Sequence, residues 1–301
     1  MSMHATPGER RELGGPVLSS VGRSGSFGYP RRPWRDVLAR ICRQRSIVLG
    51  YHGVTEGRLR DDPSLLQLSP RRFSRQLELM VDAGFSFVTM AALARLADGA
   101  TPPPGFAVVT FDDGMRNNHH VAMPILREFE IPATVYVTIG FIGGSSPWIG
   151  PGGDGAMMTA PQLRELAAAG WELGAHTMTH PDLSTLDYAA CLEEIELSRT
   201  ALEEIGSAPV ETFAYPFGRY GPEALAAVRD AGFLAAVTTG SGCWDRFEMT
   251  RAMVGAIDPL PVVLLKLTDR YEPLLRTGPA RAARNASKRL RSGMARRRHR
   301  P

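Results

Sequence analysis

With 301 residues, 44% of them hydrophobic and 22% charged, the chain has the make-up of a globular protein with one large domain or two small ones, and no apolar run approaches the roughly 18 residues that cross a bilayer. The net charge of +4 hides a split: residues 1–45 carry nine Arg against three acids, residues 276–301 carry ten Lys/Arg and no acid, and 46–275 are left with sixteen basic against twenty-eight acidic residues. The basic character belongs to the two ends, so it does not point to a nucleic-acid-binding core, and three widely separated cysteines (Cys42, Cys191, Cys243) argue against a disulfide framework.

Three segments follow: a basic, flexible extension over 1–45, a folded domain over 46–275, and a basic tail over 276–301 with the charge to touch an anionic membrane surface. No apolar h-region precedes a cleavage site near the N-terminus, so the expected location is cytoplasmic, with peripheral membrane contact through the tail.

From residue 46 short apolar runs alternate with helical patterns. Residues 46–51 read as a strand; Ser69 and Pro70 open a helix that runs to Gly84; 85–89 is a strand and 91–98 a short helix stopped by Gly99. Residues 106–111, Phe-Ala-Val-Val-Thr-Phe, form the near-continuous apolar run of a strand buried on both faces. A helix over 121–129 ends before Pro132, and 133–139 is the next strand. Residues 140–158 are a Gly/Ser/Pro-rich loop containing Trp148. Thr159 and Gln162 have capping-box spacing ahead of a helix over 161–169, closed by Gly170 before a strand at 171–175. A long helix over 187–205, a strand at 210–215, a helix at 222–231 and a strand at 233–238 complete the pattern. Such alternation predicts parallel βαβ units, and seven or eight of them suit an α/β barrel. An open doubly wound sheet is the alternative, although no glycine-rich nucleotide fingerprint follows any strand.

Chemistry concentrates at the predicted strand ends: Tyr-His-Gly-Val at 51–54, Thr-Phe-Asp-Asp-Gly at 110–114, His-Thr-Met-Thr-His at 176–180 and Ala-Tyr-Pro-Phe-Gly at 214–218. A parallel α/β protein assembles its active site there. Adjacent carboxylates after a buried strand are costly unless paired or metal-bound. Two histidines separated by three residues can bring both rings to one ion, and Asp, His and His with an open fourth position is the donor count of a catalytic zinc site. One aspartate then remains free as a base.

These motifs, in this order, resemble those of the polysaccharide deacetylase family, whose catalytic part is often called the NodB homology domain. The resemblance covers about residues 46–255, and 47–54 with 69–79 resemble the start of the branch that acts on exopolysaccharide. It implies a distorted (β/α)7-type barrel with parallel strands. It also implies that Asp112 is the catalytic base and that Asp113, His176 and His180 hold a divalent metal, with zinc foremost and cobalt or nickel as alternatives. Pro216 and Phe217 match the third motif, in which the Phe217 N–H would hold the oxyanion; Tyr215, Pro216, Phe217 and Trp148 are the candidate substrate contacts. The expected activity is hydrolysis of N-acetyl groups on an N-acetylhexosamine in a polysaccharide, oligosaccharide or glycolipid. The arginine that usually opens the third motif is replaced by Ala214, which points to Arg251 as the substitute charge. No histidine lies between His180 and His299, so the usual C-terminal general acid is missing and His52 is its replacement candidate. Those departures, with the absent leader, keep two alternatives open: a hydrolase of another C–N amide bond, or a carbohydrate-binding homologue that has lost turnover.

Overall fold

The computed structural model describes residues 33–57, 66–99, 101–149, 155–240 and 243–267. The strands are β1 (Ile47–Tyr51), β2 (Gly53–Val54), β3 (Gln67–Leu68), β4 (Ser86–Phe87), β5 (Phe106–Phe111), β6 (Thr134–Val137), β7 (Glu172–Ala175), β8 (Thr212–Ala214), β9 (Ala235–Thr239) and β10 (Met249–Met253). The helices are α1 (Pro33–Gln44), α2 (Pro70–Asp82), α3 (Met90–Ala97), α4 (Met123–Glu128), α5 (Ala160–Ala168), α6 (Tyr188–Gly206), α7 (Pro222–Asp230) and α8 (Leu260–Lys266).

Parallel pairing runs β1-β10-β9-β8-β7-β6-β5, and β5 returns to β1 through a register extending from Ile47↔Ala107 to Tyr51↔Phe111. The ring is a closed seven-stranded parallel barrel wrapped by helices, the (β/α)7 architecture. β4 lies beside the first half of β5, on the edge that β6 joins further up at Thr110↔Thr134.

Period-two alternation sorts the side chains into two cores. Leu49, Tyr51, Val109, Phe111, Val135 and Phe213 face outward and pack under the helices. Val48, Val108, Tyr136, Ala214, Val237 and Met249 face inward, with Met90, Leu93 and Ala94 of α3 packed against them. A Cβ on Gly174 would lie 2.5 Å from the Tyr136 ring, so the glycine makes room for an aromatic ring inside the barrel. The residues just before the site are clamped from outside. The rings of Tyr51 and Phe111 lie 5.7 Å apart, Phe73 of α2 meets both, and the Tyr51 hydroxyl donates to Gln76 Oε1 at 2.8 Å.

Most element positions agree with the sequence reading to within a few residues. Three differ. Residues 33–44, assigned to the flexible extension, are helix α1, whose Leu38, Ile41 and Cys42 are buried in the outer core. The helix expected over 121–129 begins as a π turn at Asn118–Ala122 before α4. β2, β3, β10 and α8 had no counterpart in the predicted pattern. Residues 1–32 and the tail over 276–301, with the membrane contact expected of it, lie outside the described residues. Among the described residues no helix is long and apolar enough to cross a membrane.

The capping box at α5 forms, with Thr159 N–H donating to Gln162 Oε1 at 2.9 Å. Thr159→Ala is expected to cost about 1 kcal/mol, which thermal unfolding would register as a loss of roughly 2–4 °C.

Candidate active site

Four strand ends deliver the site. His52 follows β1, Asp112 and Asp113 follow β5, His176 follows β7, and Phe217 lies in the turn after β8. They open onto a cavity of about 240 Å³, lined also by His180, Trp148, Leu66, Thr239 and Met253.

The Asp113 carboxylate is buried, and its Oδ1 lies 3.7 Å from His176 Nε2 and 3.6 Å from His180 Nε2. Those separations are too long for hydrogen bonds. They are close to the spacing of donors around one small ion, since ligand bonds of about 2.0–2.2 Å at tetrahedral angles leave the donors roughly 3.3–3.6 Å apart. His176 Nδ1 donates to the Ala214 carbonyl at 2.7 Å, which fixes the tautomer and turns the Nε2 lone pair toward Asp113. Burial holds both His176 and His180 down to about 4, so both rings are neutral at physiological pH, as ligation requires. Burial also raises the Asp113 carboxyl, as expected of a desolvated anion without a cation. The donor set fits a divalent metal.

Asp112 stands apart from this trio. Arg251, fully buried in β10, reaches across the barrel interior and donates to both carboxylate oxygens, Nη1 to Oδ1 at 2.6 Å and Nη2 to Oδ2 at 2.8 Å. Nη1 also donates to Thr110 Oγ1 at 3.0 Å, and the guanidinium carbon lies 5.2 Å from the centre of the Tyr136 ring. Burial pushes the Asp112 carboxyl up, but the guanidinium and its hydrogen bonds outweigh this and hold it at about 2. Asp112 is therefore ionised throughout the physiological range.

The backbone is strained where the site needs it. Asp113, Thr177, His180 and Phe217 all have positive φ, from 58° to 71°, and for the β-branched Thr177 this is costly. Thr177 is held by its own hydroxyl, which donates to the His176 carbonyl at 2.5 Å and accepts from His180 N–H at 3.0 Å. Glu194 of α6 completes the clamp. Its carboxylate accepts from the N–H groups of Met178 and Thr179, each at 2.9 Å, and from the Thr179 hydroxyl at 2.7 Å. Fourteen residues beyond His180, within a helix, Glu194 gave no sequence signal of this role. Gly218 is obligatory, because a Cβ there would lie 2.3 Å from Thr239 Oγ1.

The structure brings Asp112, Asp113, His52, His176, His180, Arg251, Phe217 and Trp148 together. Tyr215 and Pro216 need correction as substrate contacts. Both are buried and neither lines the cavity; Tyr215 packs in the outer core, edge-on to Phe213 at 5.3 Å and stacked on Tyr220 at 4.5 Å, rather than in the mouth. His119 is paired with Glu165 at 2.7 Å, away from the cavity wall.

Comparison with known proteins agrees with this arrangement. Residues 99–236 match the sequence model of the polysaccharide deacetylase family. YxkH of Bacillus subtilis, provisionally described as a polysaccharide deacetylase, is 26% identical over 200 residues, covering 66% of this chain and 66% of that protein. The poly-beta-1,6-N-acetyl-D-glucosamine N-deacetylase of Staphylococcus aureus is 23% identical over 174 residues, covering 55% of this chain and 58% of the enzyme. The chain thus spans about two thirds or less of these relatives. The Streptococcus pyogenes deacetylase PplD, solved with acetate, superposes with a TM-score of 0.62 at 25% identity, covering 71% of this chain and 93% of that one. Over residues 99–236, the stretch that carries most of these motifs, the chain is similar to the polysaccharide deacetylase family.

Proposed function

We propose that this protein is a metal-dependent hydrolase that removes N-acetyl groups from an N-acetylhexosamine-containing polysaccharide, oligosaccharide or glycolipid. One observation carries the reading: three metal donors face one point at the mouth of the barrel while a second carboxylate, ionised by a buried arginine, stands beside them. The metal we assign is zinc, with cobalt or nickel as substitutes. Held by Asp113, His176 and His180, it would acidify water and polarise the acyl carbonyl as a Lewis acid.

The chain's own residues do the rest. Asp112 accepts the proton of the attacking water, and Arg251 keeps it charged and aimed. The N–H of Phe217, presented by the left-handed turn over 216–218, steadies the oxyanion. His52, on the cavity wall beside both aspartates, donates the proton that the departing amine needs. Phe217, 56% exposed at the rim, offers an apolar ring to the face of a sugar. Arg251 gives Asp112 the charged partner that Ala214 cannot, which speaks against a homologue without turnover.

Acetate release from N-acetylglucosamine oligomers should be negligible after chelation and return on adding zinc, cobalt or nickel. Activity that survives complete chelation would overturn the mechanism.

A further inference from the structure

We infer that Trp148 is a positioning residue of the metal centre, setting both Asp113 and His180. This rests on the metal-site reading above. The Trp148 indole N–H donates to Asp113 Oδ2 at 2.8 Å, while both imidazole Nε2 atoms face the other oxygen, Oδ1. A carboxylate with both oxygens free can rotate or chelate through either one. A charge-assisted donor on Oδ2 leaves Oδ1 as the single ligand atom.

The same indole lies flat on His180, with centroids 4.3 Å and planes 20° apart, and Phe217 meets that imidazole edge-on at 4.6 Å. Phe141 meets Trp148 edge-on at 5.3 Å. One side chain therefore fixes two of the three donors. With one face of the indole spent on His180, the open sugar-facing ring at the rim is that of Phe217.

The segment carrying Trp148 is tied to the loop carrying Asp113. Ser145 bridges Ala156, Met115 bridges Met157, Met158 N–H donates to Gly114 O at 3.0 Å, and Arg116 N–H donates to Ala156 O at 2.7 Å. Metal donor and positioning indole thus sit on two hydrogen-bonded loops that hold each other in register.

The test compares zinc affinity of the full-length protein with that of Trp148→Phe, which keeps an aromatic ring and loses the donor, and of Trp148→His, which restores a ring N–H. Competition with a chelating indicator at fixed pH should show Trp148→Phe binding zinc about 10- to 100-fold more weakly, the usual cost of losing an outer partner of a ligand. Trp148→His should recover part of that loss, and saturating zinc should return most of kcat to Trp148→Phe. The rise of the thermal transition with added zinc supplies a second reading of the affinity and shows that each variant folds. Zinc affinity in Trp148→Phe within roughly twofold of the parent, together with a raised KM, would overturn the inference and leave Trp148 a sugar contact, because the expected loss is tenfold or more. A parent protein that binds zinc through Asp113 yet releases no acetate would sink the deacetylase reading and leave this inference standing.

Discussion

Asp112→Asn is expected to lower acetate release by about 10²- to 10⁴-fold, the range lost with a positioned general base. Zinc content should stay at the parent level, because the three donors are other residues. The substitution is nearly isosteric and removes the negative charge to which Arg251 donates twice. The loss should appear in kcat, since proton acceptance is needed in the transition state rather than for binding. Initial rates and metal analysis on the same preparation check it. A reduction under about tenfold would move the base elsewhere, since a positioned base is worth at least a hundredfold.

Arg251→Met should be the most destabilising single change at the site. It leaves the Asp112 carboxylate in a dry interior without its partner, and breaking a buried pair from one side costs about 3–5 kcal/mol. At roughly 2–4 °C per kcal/mol for a domain of this size, the melting temperature should fall by about 6–20 °C. The penalty should depend on pH. An aspartate in an unfolded chain titrates near 3.9, roughly, whereas Asp112 in the fold is held at about 2. Its contribution is complete above the unfolded value and is lost as pH falls from there through the folded one. Without Arg251 burial is the largest remaining influence on Asp112, ahead of the opposing effects of His176 and His52, and it raises the folded value, so protonation helps the variant. The gap between parent and variant should be widest near neutrality and narrow in acid. Denaturant melts of the metal-free proteins across that range would show it, and a constant gap would mean the pair carries no charge coupling.

Much of the site was legible because its chemistry is local in sequence. Asp112 with Asp113, and His176 with His180, are each delivered by one strand end, so spacing and strand assignment located them. Arg251 was legible only by elimination, through a charge missing at Ala214. The strand carrying it was not, since Met-Thr-Arg-Ala-Met buries a charged residue at its centre and breaks the apolar pattern of a buried strand. α1 was hidden by its neighbourhood: Leu38, Ile41 and Cys42 make a helical stripe, but the arginine-rich segment around them reads as an extension. Tyr215 was misplaced because a residue next to the motif shares its sequence but not its direction. The Trp148 hydrogen bond crosses 35 positions and depends on a loop conformation that single-residue preferences do not encode.

β10 is the last strand of the ring, and it shuts the barrel on β1 at Leu49↔Ala252 and Gly50↔Met253. It also brings the guanidinium that neutralises Asp112, so geometric closure and charge balance are one event. Until residue 251 has left the ribosome, the two carboxylates after β5 have no counter-charge from this strand, and an unpaired charge resists burial. Assembly of the final strand thereby serves as a test of completeness. A chain cut short before β10 should stay open and be cleared by proteolysis rather than accumulate as a folded protein with a defective site.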